Sequence, residues 1–266
     1  MSIQEFNLPI FFNSAVDTGA VQVGNLGNEF SVQLYSPIII PRDAINCTAE
    51  VSSASIWNSS PNISEFINNN KIHFTYSGVD YVIIFPDGLY GSTDMDSLVK
   101  IYFGTHGLPL DLFEIASNTA TGRVVITFNL TDLTIDFSQP SACIDVLGFN
   151  PDVIGPYATV PYYKTAPNLA KFNRVENYYL ISNLVSGGIP QNRTSSGILA
   201  RIPIDVHSGS LINYNPTNPT RCNATELIGT ARQVMKFRLL DQLLRDVSTF
   251  NEDYSFCINI RYYMKV

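Results

Sequence analysis

The chain of 266 residues is 45% hydrophobic, so it can bury a core as one large domain or as two small domains packed together. Only 15% of the residues are charged, while Asn, Ser, Thr, Pro, Tyr and Phe are abundant, which argues against a helical bundle and favours an all-β protein with long polar loops. The net charge of -7 argues against direct nucleic-acid binding, because phosphate recognition needs clustered Lys and Arg. We expect no membrane span, since no apolar run approaches the necessary length.

The first 27 residues have the pattern of an extended arm. Apolar residues such as Phe6, Leu8 and Phe11 are interrupted by Pro9, and several glycines follow. An arm of this kind seldom folds alone and usually packs against a neighbouring surface. The opening residues also lack the positive region and the cleavage site of a signal peptide, so we expect synthesis in a cytosol and unmodified Asn-x-Ser/Thr sequons.

Period-two alternation of apolar residues predicts strands through much of the remaining chain. Pro203 places one of these strands at a sheet edge or a bulge. The predicted strands that can be delimited are 29–40, 45–57, 72–75, 81–85, 124–128, 133–137, 175–185, 198–206, 232–240 and 254–263. A total of about eleven strands fits one β-sandwich with elaborations. No internal repeat or linker divides the chain after the arm, so we expect one domain over residues 28–266.

Two short helices are predicted among the strands. Residues 71–99 read as a hairpin that passes through a Pro-Asp-Gly turn into a helix over 94–103, with Ser92 or Thr93 as its N-cap. We interpret this stretch as the place where a core strand of the sandwich leaves its sheet for a capping helix. Ser141 is expected to cap a second helix that ends at Gly148, with Ile144 and Leu147 facing inward.

Three further segments have less regular patterns. Residues 150–171 and 207–229 are rich in Pro, Tyr or Asn without a clear period, which indicates long loop insertions. Residues 239–247 have a spacing that a helix could satisfy, although we favour a strand and a turn. The strand pattern is also interrupted at residues 186–192.

No catalytic centre is indicated by the histidines or cysteines. His73 lies in a predicted strand, His106 and His207 lie in predicted loops, and no strained nucleophile motif such as GxSxG occurs. The four cysteines are far apart and form no metal-binding spacing, so Cys47 and Cys257, within predicted strands, are interpreted as buried thiols. We therefore assign no catalytic residue and do not expect an enzyme.

Two other groups of residues have simple structural explanations. Asp87, Asp94 and Asp96 could suggest a calcium loop, but their spacing fails the EF-hand pattern and suits a turn followed by a helix start. We assign no metal-binding or cofactor-binding residue and no cofactor. The abundant Tyr and Phe residues are best explained by core filling, with an interface or a carbohydrate site as alternatives. Aromatic residues in the first loop insertion that would serve a carbohydrate site are Tyr157, Tyr162 and Tyr163.

Several blocks of sequence, taken in order, resemble a known family. They are SASIWNSSPNIS, IIFPDGLYGSTDMDSLV, NTATGRVVITF, IDFSQPSACIDVLGF, VENYYLISNLVSGG and EDYSFCINIRYY. Together, over residues 45–266, they resemble the penton (minor capsid, vertex) proteins of virophages, Polinton-like viruses and related DNA viruses of the double-jelly-roll capsid lineage.

The resemblance implies a fold, an assembly and partners. The implied fold is a single jelly-roll β-sandwich, and five copies are implied to close each icosahedral vertex as a homopentamer in the virion. The major capsid protein is then the expected partner, with other minor capsid proteins as further partners of the N-terminal arm. Two alternatives stay open: a small major capsid protein that forms trimers, and a receptor-binding or carbohydrate-binding β-sandwich module of a virion.

Overall fold

The computed structural model describes residues 2–186 and 197–265. Within them the chain forms seventeen β-strands, two α-helices and two 3₁₀ turns, Val16–Thr18 and Thr225–Leu227. The strands are β1 (Ile3–Asn13), β2 (Ala20–Gln22), β3 (Glu29–Ile39), β4 (Asn46–Trp57), β5 (Lys71–Tyr76), β6 (Val79–Ile84), β7 (Phe113–Asn118), β8 (Arg123–Phe128), β9 (Leu133–Asp136), β10 (Val153–Ile154), β11 (Tyr162–Thr165), β12 (Asn177–Ser182), β13 (Ile198–Pro203), β14 (Leu211–Tyr214), β15 (Cys222–Asn223), β16 (Ala231–Leu240) and β17 (Ser255–Lys265). The helices are α1 (Ser92–Thr105) and α2 (Ile144–Leu147). Most of the interruption predicted at 186–192 lies outside the described residues.

The chain divides into two compact units. We call Met1–Ser60 with Val175–Val266 the sandwich unit, and Pro61–Arg174 the inserted unit, because its sequence falls between β4 and β12. The sequence predicted one domain over residues 28–266, without this division. Both units contain strands with alternating apolar residues, and local alternation identifies a strand without revealing which core it joins.

The sandwich unit has the winding of a jelly roll. One sheet has the order β1-β17-β4-β14, with β15 also paired to β4, and the other has the order β13-β12-β16-β3-β2. If the short strands β2 and β15 are left out, the other eight strands of this unit can be counted from first to eighth along the chain. The strand order is then first, eighth, third, sixth in one sheet and fifth, fourth, seventh, second in the other. Early and late strands therefore alternate in both sheets, as in a double-sheet jelly roll. The predicted all-β jelly-roll sandwich is confirmed.

Aromatic side chains fill the centre of the sandwich unit. Phe237 lies 4.5 Å from Phe12, 5.3 Å from Phe30 and 4.8 Å from Phe256, measured between ring centroids. All four rings are at most 4% exposed. Burial of each such ring contributes roughly 2–3 kcal/mol, so this cluster does much to hold the two sheets together.

The N-terminal residues form the first strand of the jelly roll. Residues 1–27, predicted as an extended arm, contain β1, which pairs with β17 along its whole length from Ile3↔Lys265 to Asn13↔Ser255. Pro9 is tolerated because β1 is the edge strand of its sheet, where a missing N–H can face away from the neighbour. Proline and the exposed apolar residues make this edge strand look like an arm in the sequence.

The inserted unit contains the predicted hairpin and helix. It has one sheet in the order β10-β9-β5-β6, a second in the order β11-β8-β7, and α1. The pairing of β5 with β6 agrees with the prediction. The predicted placement of the hairpin is wrong, because the hairpin belongs to the inserted unit and is not the point where a strand of the sandwich leaves its sheet.

The helix boundaries differ slightly from those predicted. Neither Ser92 nor Thr93 caps α1; Gly91 is the N-cap, and its N–H donates to Asp94 Oδ2 at 2.8 Å. Cys143, not Ser141, precedes α2, while Gly148 ends it with a φ of 75°. Such a positive φ suits glycine, which has no Cβ to clash with the backbone.

Short strands occupy the two segments predicted as loop insertions. Residues 150–171 contain β10 and β11, and residues 207–229 contain β14 and β15. β14 completes one sheet of the jelly roll by pairing with β4. Strands of two to four residues are too short to show a period, so the sequence did not indicate them. The strand and turn favoured for residues 239–247 are confirmed by the end of β16 at Leu240 and the turn that follows.

Candidate assembly surface

The three histidines are held in separate places. His73 on β5 lies with its Nε2 3.3 Å from the carbonyl oxygen of Pro140. His106 follows α1, stacked on the Tyr102 ring at 3.9 Å between centroids. His207 is exposed in a turn of the sandwich unit. The described part of the chain therefore brings no two histidines together as a base and its orienting partner.

The three aspartates near the start of α1 are engaged by backbone N–H groups. Asp87 accepts from the N–H of Glu65 at 2.8 Å, and Asp96 accepts from the N–H of Ile115 at 2.8 Å. Asp94 accepts from Gly91, as described above, and Asp96 also pairs with Lys100 at 2.8 Å. These contacts agree with turn and helix-start roles. Across residues 2–186 and 197–265, no group of three or more His, Cys, Asp or Glu could hold a metal ion.

Two of the three tyrosines that could serve a carbohydrate site pack on each other. The rings of Tyr157 and Tyr162 stack at 3.7 Å between centroids, and Tyr157 also contacts Phe128 at 5.0 Å. Only Tyr163 presents most of its surface, with 65% exposed. A sugar would therefore find one free ring in place of the three that the sequence suggested. None of the helices in the described residues is long and apolar enough to span a bilayer.

The cysteines are free thiols, most of them deeply buried. Cys47 and Cys143 are 0% exposed and Cys257 is 5% exposed, which confirms the buried thiols predicted at Cys47 and Cys257. Burial disfavours the charged thiolate and raises the pKa of Cys47 to about 11 and that of Cys143 to about 12. The pKa of the partly exposed Cys222 is also raised by burial.

These thiols are expected to react slowly in the folded protein. Because only the thiolate reacts with a disulfide reagent, raised pKa values leave Cys47 and Cys143 almost wholly unreactive at about pH 8. Ellman's reagent should therefore modify Cys222 first in the native protein and all four cysteines in concentrated guanidinium. Prompt reaction of Cys47 or Cys143 under native conditions, identified by peptide mapping, would show that these side chains are accessible.

One flank of the sandwich unit presents open sheet edges. We call it the N-terminal edge and define it as β1 together with β2. β1 is the outer strand of one sheet and β2 is the outer strand of the other. An edge strand of eleven residues is long, and only Pro9 and Glu5 protect β1 against pairing with another chain. The N-terminal edge therefore has the character of a surface that assembly covers.

Exposed apolar side chains are concentrated in the same part of the chain. Among the described residues of the sandwich unit, eight of thirteen large exposed hydrophobic side chains lie within residues 3–39. They are Ile3, Leu8, Phe11, Val16, Val21, Val23, Tyr35 and Ile39. Phe11 is 79% exposed on β1. Four of these eight side chains, Ile3, Leu8, Phe11 and Val21, lie on the N-terminal edge itself, and exposed hydrophobic side chains that are grouped together often mark protein interfaces.

An ion-pair network fastens β1 to the rest of its sheet. Glu50 on β4, whose side chain is 2% exposed, accepts from Arg261 Nη2 at 2.7 Å and from Arg221 Nε at 3.2 Å. Arg261 Nη1 also donates to Glu5 of β1 at 2.8 Å. The hydrogen bond from Arg261 lowers the pKa of Glu5, and the bonds to Glu5 and Glu50 raise the pKa of Arg261.

The sequence did not indicate this network. Glu50 and Arg261 are 211 residues apart, and only the register that places Asn259 beside Glu50 brings them together. One feature of the sequence could have indicated the network, since Glu50 is the one charged residue in the predicted strand 45–57. A lone carboxylate in such a strand needs a cation when it becomes buried.

Comparison with known proteins identifies the fold. No family model matches the chain, and no curated protein matches it. The crystal structure of the mavirus penton protein matches 97% of this chain and 100% of its own, at a TM-score of 0.52 and 10% sequence identity. The structure of the Sputnik virophage matches 98% of this chain and 97% of its own, at 14% identity and a TM-score of 0.42. The chain thus shares the fold of the mavirus penton protein, as the sequence resemblance implied.

Proposed function

We propose that the chain is a structural capsid protein, the pentameric vertex (penton) capsomer of an icosahedral DNA virus, and not an enzyme. The observation that carries this proposal is the fold shared with the mavirus penton protein over nearly the whole of both chains. The jelly-roll winding of the sandwich unit and its open N-terminal edge agree with a role in assembly. In this role the chain is made in the host cytosol and resides at the capsid vertex.

The mechanism of such a protein is assembly. Its folded core fixes the shape of the subunit, and heterologous contacts between neighbouring copies close a ring when the rotation between them is one fifth of a turn. The N-terminal edge is proposed to supply one side of each ring contact, because it combines free backbone groups with exposed apolar side chains. The major capsid protein is the proposed partner around the ring, and other minor capsid proteins are proposed to contact residues 1–27.

Native mass spectrometry of the purified chain tests the stoichiometry. We expect a complex of about five copies of the 29.5 kDa chain, with ring-shaped particles in electron micrographs. A trimer would instead support a small major capsid protein. A monomer that binds glycans and is absent from virions would support the receptor-binding alternative and refute the proposal.

A pair of variants tests the proposed interface separately. Phe11→Asp should weaken ring formation without unfolding the subunit, because the Phe11 side chain is 79% exposed. Leu243→Asp is the matched control, since Leu243 is 63% exposed but lies outside the N-terminal edge. Rings that tolerate Phe11→Asp as well as Leu243→Asp would exclude the N-terminal edge while leaving the capsid function intact.

A further inference from the structure

The sandwich unit contains a cavity of about 320 Å³ to which the proposed function assigns no ligand. One row of side chains across three neighbouring strands forms its floor: Phe12 on β1 pairs with Phe256 on β17, which pairs with Ala54 on β4. Val32 and Leu34, from β3 in the other sheet, also line it. Phe12, Ala54 and Phe256 belong to the buried core, and Val32 and Leu34 pack against it.

Ala54 has the smallest side chain in the row, so a larger residue at this position would extend into the cavity. The remaining lining residues of the three strands precede or follow this row, so their side chains alternate to the other face of the sheet. Hydrocarbon therefore makes up the larger part of the cavity wall, to which Thr18 adds a polar side chain.

The cavity has an opening at the N-terminal edge. β2 pairs with β3 only from Phe30 to Val32, so Leu34 lies beyond the strand that covers this sheet edge. Val32 and Leu34 are accordingly only partly buried, although they pack against the core. A small molecule can thus reach the cavity without separation of the two sheets.

The chemistry of the lining selects the ligand. None of the twelve lining residues is Asp, Glu, Lys, Arg or His, so a charged group would enter without a partner at a large cost in free energy. An apolar cavity of about 150 Å³ accepts benzene, so twice that volume suits two fused rings. We propose that this cavity is a binding site for a neutral, apolar small molecule of about the size of a bicyclic aromatic.

Thermal unfolding of the full chain with indole tests the site. Indole at about ten times its Kd should raise the melting temperature by about 3 °C, whereas indole carboxylate, which is charged, should not. Ala54→Leu fills the cavity and should abolish the shift. Ala116→Leu, at an exposed position of β7, should preserve it.

Each result of the thermal unfolding experiment either supports or contradicts the proposed binding site. No shift with indole, or a shift that Ala54→Leu leaves unchanged, would overturn the proposed site. If Ala54→Leu fails to fold, Leu34→Phe narrows the cavity from the opposite sheet and should reduce the shift in its place. Observation of an equal shift with indole carboxylate would contradict the selection for neutral ligands.

Discussion

Replacement of Arg261 by Met is expected to lower the free energy of unfolding by about 3 kcal/mol, because it leaves the buried Glu50 carboxylate with one weak partner. Arg261 makes the two shortest bonds to Glu50, at 2.7 and 2.8 Å, and also fastens Glu5 of β1. The remaining cation, Arg221, is 51% exposed and lies 3.2 Å from Glu50. Met retains the packing of the arginine stem without its charge.

The matched control is Arg221→Met. Removal of this exposed partner should cost less than about 1 kcal/mol, since Arg261 still neutralises Glu50. Urea denaturation followed by circular dichroism measures both changes, and the slope of the transition should stay constant if the fold is unchanged. Equal losses for the two variants would show that Arg261 does not hold the network together.

Local patterns predicted the strands well because alternation is a local property. Strands such as β4 and β17 alternate between the core and the opposite face, and their predicted bounds of 45–57 and 254–263 agree closely with the structure. The predicted thiols at Cys47 and Cys257 follow from the same burial. Residue types therefore indicated which segments form strands and which side chains are covered.

The grouping of strands into sheets depends on contacts that no local pattern contains. The hairpin of β5 and β6 has the same alternation whether it joins the sandwich unit or the inserted unit. Likewise, β1 looked like an arm because its partner, β17, lies at the other end of the chain. The ion-pair network and the cavity depend on the same distant register, so the sequence could not indicate either.

Substitution of Phe11 by Cys should create a disulfide with the native Cys257 and raise the stability of the oxidised chain by about 3–5 kcal/mol. The two residues face each other directly in the pairing of β1 with β17. Pro9 has no N–H, which indicates that the backbone groups at this position of β1 point away from β17. Phe11 lies two residues further along the strand, so its backbone groups have the same orientation. Facing side chains approach most closely at such positions, within reach of a disulfide.

The way in which this disulfide forms decides where β1 belongs in the assembled protein. If β1 stays within its own chain, the oxidised variant runs as a monomer on a non-reducing denaturing gel, with two free thiols fewer by Ellman titration after unfolding. If residues 1–27 instead act as an arm toward a neighbour, the same bond joins different chains and a ladder of covalent oligomers appears. The double variant Phe11→Cys with Cys257→Ser controls for other pairings, since it should form neither product. In both cases β1 pairs with β17. The gel shows whether that β17 belongs to the same chain, so that each subunit completes its own jelly roll, or to a neighbouring chain, so that the first strand is exchanged between subunits.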